Sequence, residues 1–318
     1  MTATRVTPRL RLGAFMAAVL ALTLTGCAST STSTSVSTAS ATTTAAAQPA
    51  GSLLIVGGGP IPDPIIARFV ALAGGKGKAR IVLYPMASED PDAGLELAED
   101  FRKLGVDAER IVLTRAQAET VAAARRLDGV TGIWFGGGDQ AKLTAAIGHT
   151  PVETAIHERY LAGAVVGGTS AGAAVMSTPM ITGDERKPGG ARPPAADSSD
   201  AFMTIARDDV VMIDGFGMLP GVIVDQHHVR RRRGNRLLSV VLEHPELVGI
   251  GIDESTALEV GPTGPWKVIG ESAAVVYDAR QASITPATAP ILGTTGVKLS
   301  VVPAGGTYEL KTGLATLP

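Results

Sequence analysis

The sequence predicts an α/β fold: a doubly wound, mostly parallel sheet flanked by helices and extended by short strands near the C-terminus. Two observations support this prediction. Apolar runs with strand character alternate with helical patterns over residues 52–135, which is typical of the βαβ units that build parallel sheets. After an N-terminal export segment, about 270 residues remain, enough for one α/β domain with a substantial core.

The individual elements follow in chain order. Early strands are predicted at residues 52–56, 80–84, 110–113 and 132–135. Helices are predicted at residues 64–72, near 92–104, near 117–127 and from about Gln140 onward. Later strands are predicted at residues 162–166 and within the runs 222–228 and 248–255, whose apolar residues end in polar ones, and shorter strands at 256–260, 266–269, 273–277 and within 296–302. Residues 183–200 lack apolar periodicity and predict an irregular loop, either a flap over the site or a disordered insertion.

Residues 1–27 predict a lipoprotein signal peptide. A basic stretch with three arginines precedes an apolar run at residues 12–24, which is too short to span a bilayer comfortably. Residues 24–27, Leu-Thr-Gly-Cys, resemble a bacterial lipobox and predict a lipidated Cys27 as the mature start. Ordinary secretory cleavage beside an incidental cysteine is the alternative.

Residues 28–50 are almost wholly Ser, Thr and Ala and predict a flexible tether, because they cannot bury enough apolar surface to offset their ordering entropy. Residues 51–318 then form the single folded domain. Together these segments predict an exported bacterial lipoprotein, held by acyl chains at the periplasmic or extracellular side of the cell envelope.

Composition and motifs exclude several classes of protein. A net charge of -2 gives no support for nucleic-acid binding. A single cysteine excludes an intramolecular disulfide and a cysteine metal cluster. The first glycine triplet (residues 57–59) lacks the G-x-G-x-x-G pattern of dinucleotide binding, and the chain contains neither a P-loop lysine nor H-E-x-x-H. We therefore expect no cofactor and no metal.

Ser170 carries the strongest chemical signal. It is flanked by Gly168 and Gly172 in the G-x-S-x-G spacing of a nucleophile elbow, after an apolar run at residues 162–166. Small neighbours are needed because a side chain thrust out at a sharp turn leaves no room for bulk. The motif alone leaves three readings open: a catalytic elbow, a phosphate-binding turn and a plain tight turn.

Candidate partners for Ser170 follow two later strands. His149 and His157 fall in or near helical segments and His244 ends a helix, which leaves His227 and His228 as the candidate base. Adjacent residues at a strand end point to opposite sides, so only one of them can face the serine. The orienting carboxylate has three candidates, all at strand ends: Asp225, Asp253 and Glu254.

The second glycine triplet (residues 136–138) predicts an oxyanion hole. Consecutive glycines allow backbone amides to approach a reacting oxygen, so the amides of Gly137 and Gly138 together with that of Ala171 would hold the oxyanion. A plain tight turn before the next helix is the alternative.

Residues 52–280 resemble the cyanophycinases, serine exopeptidases related to dipeptidase E on a scaffold like that of class I glutamine amidotransferases. The resemblance is carried by residues 135–140, 168–173, 225–236 and 249–257. It implies Ser170 as nucleophile, His227 as general base and acid, and Glu254 as orienting carboxylate. It also implies a homodimer and a substrate-binding set of Gln140, Asp225, Gln226, Arg231, Arg233 and Arg236. His228 stands where the family would have an aromatic residue, and the segment between Ser170 and His227 is longer than usual.

The resemblance implies hydrolysis of cyanophycin, a polyaspartate that bears arginine on its side chains, to β-aspartyl-arginine. Asp225 would face a substrate guanidinium and the arginines would face its carboxylates. The basic run at residues 230–233 could otherwise be a polyanion patch or a solvated helix start. Two other functions stay open: a dipeptidase E-like peptidase of other aspartyl or isoaspartyl peptides, and a non-catalytic surface binding lipoprotein.

Overall fold

The structure, a computed structural model, describes residues 48–186 and 204–318. Five parallel strands form the centre of its main sheet: β1 (Leu53–Val56), β2 (Arg80–Tyr84), β3 (Asp107–Arg110), β4 (Gly132–Phe135) and β5 (Val165–Thr169). They lie in the order β1, β5, β4, β2, β3. Every residue of β1 and β4 is buried, as expected for parallel strands covered on both faces.

Helices cover both faces of this sheet. They are α1 (Asp63–Leu72), α2 (Leu95–Lys103), α3 (Arg115–Ala118), α4 (Val121–Arg125), α5 (Gln140–Ile147), α6 (Pro151–Leu161), α7 (Ala171–Ala174) and α8 (Gly234–Glu243). Leu54 and Val56 of β1 pack in one core cluster with α1 and α2. Leu53 and Ile55, which point to the other face, pack with α3 to α6. The predicted α/β class is thereby confirmed.

Four antiparallel strands extend the main sheet beyond β1 to nine strands. They are β10 (Thr256–Val260), β11 (Trp266–Gly270), β16 (Thr307–Glu309) and β17 (Leu314–Thr316). β10 pairs with β1 along its whole length, from Leu53 opposite Val260 to Val56 opposite Ala257. This pairing brings the start of β10 beside the end of β1.

A second sheet of four strands lies beside the first. It contains β8 (Val222–Gln226), β9 (Val248–Ile252), β12 (Ala273–Asp278) and β15 (Lys298–Pro303), in the order β15, β12, β9, β8. β8 and β9 are parallel, and α8 connects them. Two short hairpins complete the described chain: β6 (Met180–Glu185) with β7 (Val210–Ile213), and β13 (Ser283–Ile284) with β14 (Thr294–Thr295). The strands that lead to the candidate base and carboxylate therefore belong to a different sheet from the strand that leads to Ser170.

Four predicted segments need correction. The third strand is predicted at residues 110–113 but lies at Asp107–Arg110. β3 is the edge strand of the sheet. Ala108 is buried and its neighbour Asp107 is exposed, so the strand lacks the continuous apolar run on which the prediction depended. The fifth strand begins only at Val165, because residues 162–163 form a turn after α6.

The single helix predicted near residues 117–127 is two short helices, α3 and α4. Thr114 and Gln117 form a capping box at the start of α3. Thr120 begins α4, since its side chain accepts a hydrogen bond from the Ala123 amide. The hydroxyl of Thr120 also donates to the Gln117 carbonyl, 2.8 Å away, which closes the first helix.

The predicted loop at residues 183–200 is corrected at its start, since residues 183–185 are part of β6. Its remainder from residue 187 lies outside the described residues, as do Cys27, the signal peptide and the tether up to residue 47. The start of the described chain packs against the domain, because the amides of Ala50 and Gly51 donate to carbonyls at the end of α6. Within residues 48–186 and 204–318, no helix is both long and apolar enough to cross a membrane.

Candidate active site

Ser170 lies at the sharp turn between β5 and α7. Its φ of 54° and ψ of -110° are a strained conformation for a residue with a side chain. The flanking glycines permit the close packing that this turn requires. A Cβ at Gly168 would lie 2.4 Å from the Gly172 carbonyl oxygen, and one at Gly172 would lie 2.3 Å from the Phe135 carbonyl oxygen. The turn thus has the backbone geometry of a nucleophile elbow.

His227 follows β8 directly and faces Ser170. Its Nε2 lies 2.8 Å from Ser170 Oγ. The backbone is held by a hydrogen bond from the His227 amide to the Gly57 carbonyl, 2.7 Å long, and adopts a φ of 49°. The ring lies against Gly58, where an added Cβ would be 2.2 Å from His227 Cε1.

Glu254 follows β9 and completes the triad. Its Oε1 lies 2.7 Å from His227 Nδ1. The next residue, Ser255, has a φ of 53°, and its amide donates to the Gly58 carbonyl at 2.9 Å. Glu254 packs over Gly59, where a Cβ would lie 3.0 Å from Oε2. Both members supplied by the second sheet are thus fastened to the loop after β1.

The electrostatics suit His227 for accepting a proton. Burial lowers the pKa of its imidazole below the ordinary value of 6.5, the hydrogen bond to Glu254 opposes that change, and the charges of Arg231 and Arg233 reinforce it. The ring is therefore neutral at pH 7. In the tautomer that fits both contacts, Nδ1–H donates to Glu254 and Nε2 accepts from the Ser170 hydroxyl.

Two of the three predicted oxyanion-hole residues, Gly137 and Ala171, lie beside Ser170. A Cβ at Gly137 would lie 3.4 Å from Ser170 Cβ, so this backbone passes directly beside the serine. Gly138 has a φ of 133°, and a Cβ there would lie 2.2 Å from the Ala87 carbonyl oxygen. Ala171 is the first residue of α7 and is buried. Their role in binding the oxyanion stays a prediction.

Four of the six predicted substrate-binding residues form a buried hydrogen-bonded network: Asp225, Gln226, Arg233 and Arg236. Arg236 contacts both carboxylate oxygens of Asp225, with Nε 3.2 Å from Oδ2, and each residue is 1 % exposed. Arg233 donates to the carbonyl and side-chain oxygens of Gln226, the first at 2.9 Å. Arg231 is different, since its side chain is 40 % exposed and its Nε lies 4.0 Å from Glu254 Oε1.

This network corrects the expectation that Asp225 faces a substrate guanidinium, because Arg236 already occupies that carboxylate inside the protein. Burial would raise the pKa of Asp225, but the charge of Arg236 and the hydrogen bonds from His228 and Arg236 outweigh it, so the pKa lies well below the usual range. Gln140 is also buried, and its Nε2 donates to the carbonyls of Ile181 and Thr182 at 2.7 and 2.5 Å. Substrate binding by the other members of the set stays a prediction.

The structure separates the alternative candidates from the triad. His228 points away from Ser170, with Nδ1 3.2 Å from Asp225 Oδ2 and Nε2 3.1 Å from the Tyr277 hydroxyl. The carboxylate of Asp253 accepts the Val229 and Arg230 amides at 3.1 and 2.8 Å rather than contacting His227.

Sequence reasoning missed the role of the first glycine triplet, which it considered only as a nucleotide loop. A Cβ at Gly57 would lie 2.1 Å from the Asp253 carbonyl oxygen. The side chains of His227 and Glu254 pack directly against Gly58 and Gly59. The available signal was three consecutive glycines at the end of a buried strand. Such a run permits another backbone or a ring to approach closely.

Among the described residues, no group of three or more His, Cys, Asp or Glu side chains is placed to hold a metal ion. The arrangement of Ser170, His227 and Glu254 fits acyl transfer, in which a serine attacks a carbonyl carbon while histidine takes its proton.

Comparisons with known proteins fit this geometry. A family model described as Peptidase family S51 matches residues 53–264. Cyanophycinases from Synechococcus elongatus and Geminocystis herdmanii are 35% and 34% identical to the chain, over 257 and 272 residues. The alignments cover 78% and 82% of this chain, and 74% and 94% of the relatives. A solved peptidase from an acI-B1 actinobacterium matches 80% of this chain and 98% of its own, with a TM-score of 0.56 and 23% identity, which is a likeness of fold.

Proposed function

The chain belongs to peptidase family S51 and is a serine-type peptidase, and on that premise we propose that it hydrolyses cyanophycin to β-aspartyl-arginine dipeptides. The observation that carries the chemistry is the continuous hydrogen-bonded line from Ser170 Oγ through the His227 ring to Glu254, with contacts of 2.8 and 2.7 Å. The relatives named cyanophycinases support the choice of substrate.

The reaction follows from the geometry. Ser170 Oγ attacks the scissile carbonyl carbon while His227 Nε2 accepts its proton, and Glu254 stabilises the resulting imidazolium. Amides near Ser170 hold the oxyanion, and each such donor contributes about 100- to 1000-fold in rate. His227 then gives its proton to the leaving amine. A water molecule, deprotonated by the same imidazole, releases the acyl group from Ser170.

Charge beside the site supports a substrate that bears carboxylate groups. Arg230, Arg231 and Arg232 are exposed in the turn that directly follows the active-site histidine. Guanidinium groups bind carboxylates in a bidentate fashion, and each arginine of the polymer carries a free α-carboxylate. We assign the exposed Arg231 to this contact, because its side chain lies near Glu254, which is itself partly exposed.

The sequence also supports export and anchoring. The lipobox-like residues 24–27 and the Ser- and Thr-rich residues 28–50 fit a peptidase tethered outside the cell by acyl chains on Cys27. An exported form suits the use of polymer released from other cells. Metabolic labelling with an acyl probe, which Cys27→Ser would abolish, tests the anchor. The homodimer implied by the resemblance stays a prediction.

The decisive experiment incubates residues 28–318 with cyanophycin and identifies soluble products by mass spectrometry. We expect β-aspartyl-arginine from the native sequence and none from Ser170→Ala. Exposed Ser283 in β13 supplies a matched control, because Ser283→Ala should retain activity. A folded protein that releases no dipeptide would reject the polymer as substrate. Cleavage of short isoaspartyl peptides instead would favour a dipeptidase E-like activity.

A further inference from the structure

The Asp253 carboxylate accepts hydrogen bonds from three other residues, a role that the sequence alone did not predict. Its Oδ1 accepts the amides of Val229 and Arg230, at 3.1 and 2.8 Å. Oδ2 accepts the Ser272 hydroxyl at 2.8 Å. One side chain thus joins the turn after β8, the residue after β9 and the start of β12.

The two segments that Asp253 joins carry the base and the orienting carboxylate. Val229 and Arg230 follow His227 by two and three residues, and Glu254 is the next residue after Asp253. We propose that Asp253 is a positioning residue, whose carboxylate fixes the ends of β8 and β9 relative to each other and so maintains the His227–Glu254 contact. This inference rests on the proposed function of the triad.

Backbone strain at both ends explains why such a tie is needed. His227 and Ser255 have φ values of 49° and 53°, in a region that residues with side chains rarely adopt. Strained residues persist only where surrounding contacts over-determine them. The Asp253 carboxylate binds the backbone two and three residues after His227, and Asp253 itself precedes Ser255 by two residues.

A second chain of hydrogen bonds returns from Asp253 to Glu254. Ser272, whose hydroxyl contacts Asp253, donates its amide to Thr256 Oγ1 at 2.9 Å. The Thr256 hydroxyl in turn donates to the Glu254 carbonyl at 3.0 Å. The carboxyl end of β9 is therefore fixed on both sides of Glu254.

The charge of Asp253 suits this role. Burial would raise the pKa of this carboxyl group, but the hydrogen bonds from the Arg230 amide, the Ser272 hydroxyl and the Glu254 and Val229 amides outweigh it and keep the pKa below the usual value. The residue is 8 % exposed. Replacing this buried, ionised carboxylate with an amide is unfavourable. The NH2 group of the amide is a donor, and it would face other donors that need an acceptor.

The test compares Asp253→Asn with Asp278→Asn. Asp278 is a matched control, because its carboxylate is also largely buried and accepts a backbone amide, from Arg280, but it lies at the other end of β12. For Asp253→Asn we expect kcat to fall by up to about 100-fold, the loss that a displacement of roughly 1 Å can cause, with KM unchanged. Asp278→Asn should keep both constants, whatever its effect on the melting temperature.

Titration of His227 by NMR gives a readout that needs no substrate, so it remains informative if cyanophycin is not cleaved. His227→Gln assigns the signal among the five histidines. The groups that face this ring are Glu254 from the end of β9, Arg231 and Arg233 from the segment before α8, and the Ser170 hydroxyl. Loss of the Glu254 contact removes the influence that raises the pKa of His227, so Asp253→Asn should lower that pKa further.

Three results would overturn the proposal. An unchanged kcat and His227 titration would make Asp253 a structural residue only. A higher pKa of His227 together with a raised KM would mean that Asp253 holds the arginine turn and not the triad. If Asp253→Asn does not fold, Ser272→Ala decides, since it removes one donor and leaves the amides of Val229 and Arg230. A lower kcat and a lower pKa of His227 in Ser272→Ala would support the proposal, and a lower melting temperature with neither change would reject it.

Discussion

Two imidazole–carboxylate pairs lie next to each other at the end of β8, and only one of them faces the nucleophile. His227 contacts Glu254 at 2.7 Å, and the other ring nitrogen lies 2.8 Å from Ser170 Oγ. His228 contacts Asp225 at 3.2 Å, and its other nitrogen meets the Tyr277 hydroxyl. The residue types are nearly the same, so composition alone does not separate a catalytic pair from a structural one.

The difference lies in what else binds each carboxylate. The side chain of Glu254 is 25% exposed and stands beside the partly exposed Arg231 at 4.0 Å. The side chain of Asp225 is fully buried and is bound by Arg236 as well as His228. A carboxylate already neutralised by a buried guanidinium has little capacity left to stabilise an imidazolium, whereas Glu254 retains that capacity.

The largest expected effect separates the two histidines. His227→Gln should lower kcat by about 10⁴-fold or more, because within the described chain no other group is placed to take the Ser170 proton. His228→Gln should change kcat far less, although it leaves buried partners unsatisfied and costs about 1–3 kcal/mol of stability. Steady-state kinetics and urea unfolding of both variants measure this. A comparable loss of kcat in the two variants would show that the buried pair takes part in catalysis.

The next effect separates the two carboxylates by stability. Asp225→Asn should lower the free energy of unfolding by about 3–5 kcal/mol, since Arg236 would remain buried without its counter-charge. Glu254→Gln, at a partly exposed position, should lower it much less while reducing kcat strongly. Urea denaturation monitored by circular dichroism provides the comparison. Equal losses in the free energy of unfolding would mean that the two carboxylates contribute equally to the stability of the fold.

The parallel half of the main sheet was accessible from sequence because its signals are local. β1, β4 and residues 81–84 of β2 are continuous buried apolar runs, and the Ser170 elbow is a spacing motif within a few residues. The error at β3 has a non-local cause, because β3 is an edge strand with alternating burial. The error at α3 and α4 has a local cause, because Thr120 bonds residues three positions away and interrupts a helical pattern that composition alone would continue.

The residues of the site could be predicted from the sequence, but the arrangement of strands that brings them together could not. Polar residues after two apolar strands indicated His227, His228, Asp253 and Glu254 as candidates, and the family resemblance selected two of them. That β8 and β9 form a separate sheet, fastened to the glycines after β1, depends on pairings between segments about 170 and more residues apart, which neither periodicity nor spacing encodes. Likewise, no local pattern distinguishes a buried arginine such as Arg236 from an exposed one such as Arg231.

The smallest expected effect concerns pH and again depends on the two carboxylates. Burial, Arg231 and Arg233 hold the pKa of His227 below 6.5 against the opposing influence of Glu254. The protonated imidazole cannot accept the Ser170 proton, so kcat/KM should fall on acidification only below pH 6.5, with the midpoint at the pKa of His227 in the free enzyme. Glu254→Gln should move this acid limb to lower pH because it removes the influence that raises the pKa. Asp225→Asn, measured where it is still folded, should leave the midpoint in place, since Asp225 contacts His228 rather than His227. A midpoint above 6.5 in the native protein, or one that follows Asp225 instead of Glu254, would mean that the imidazole next to the serine is governed by the buried pair.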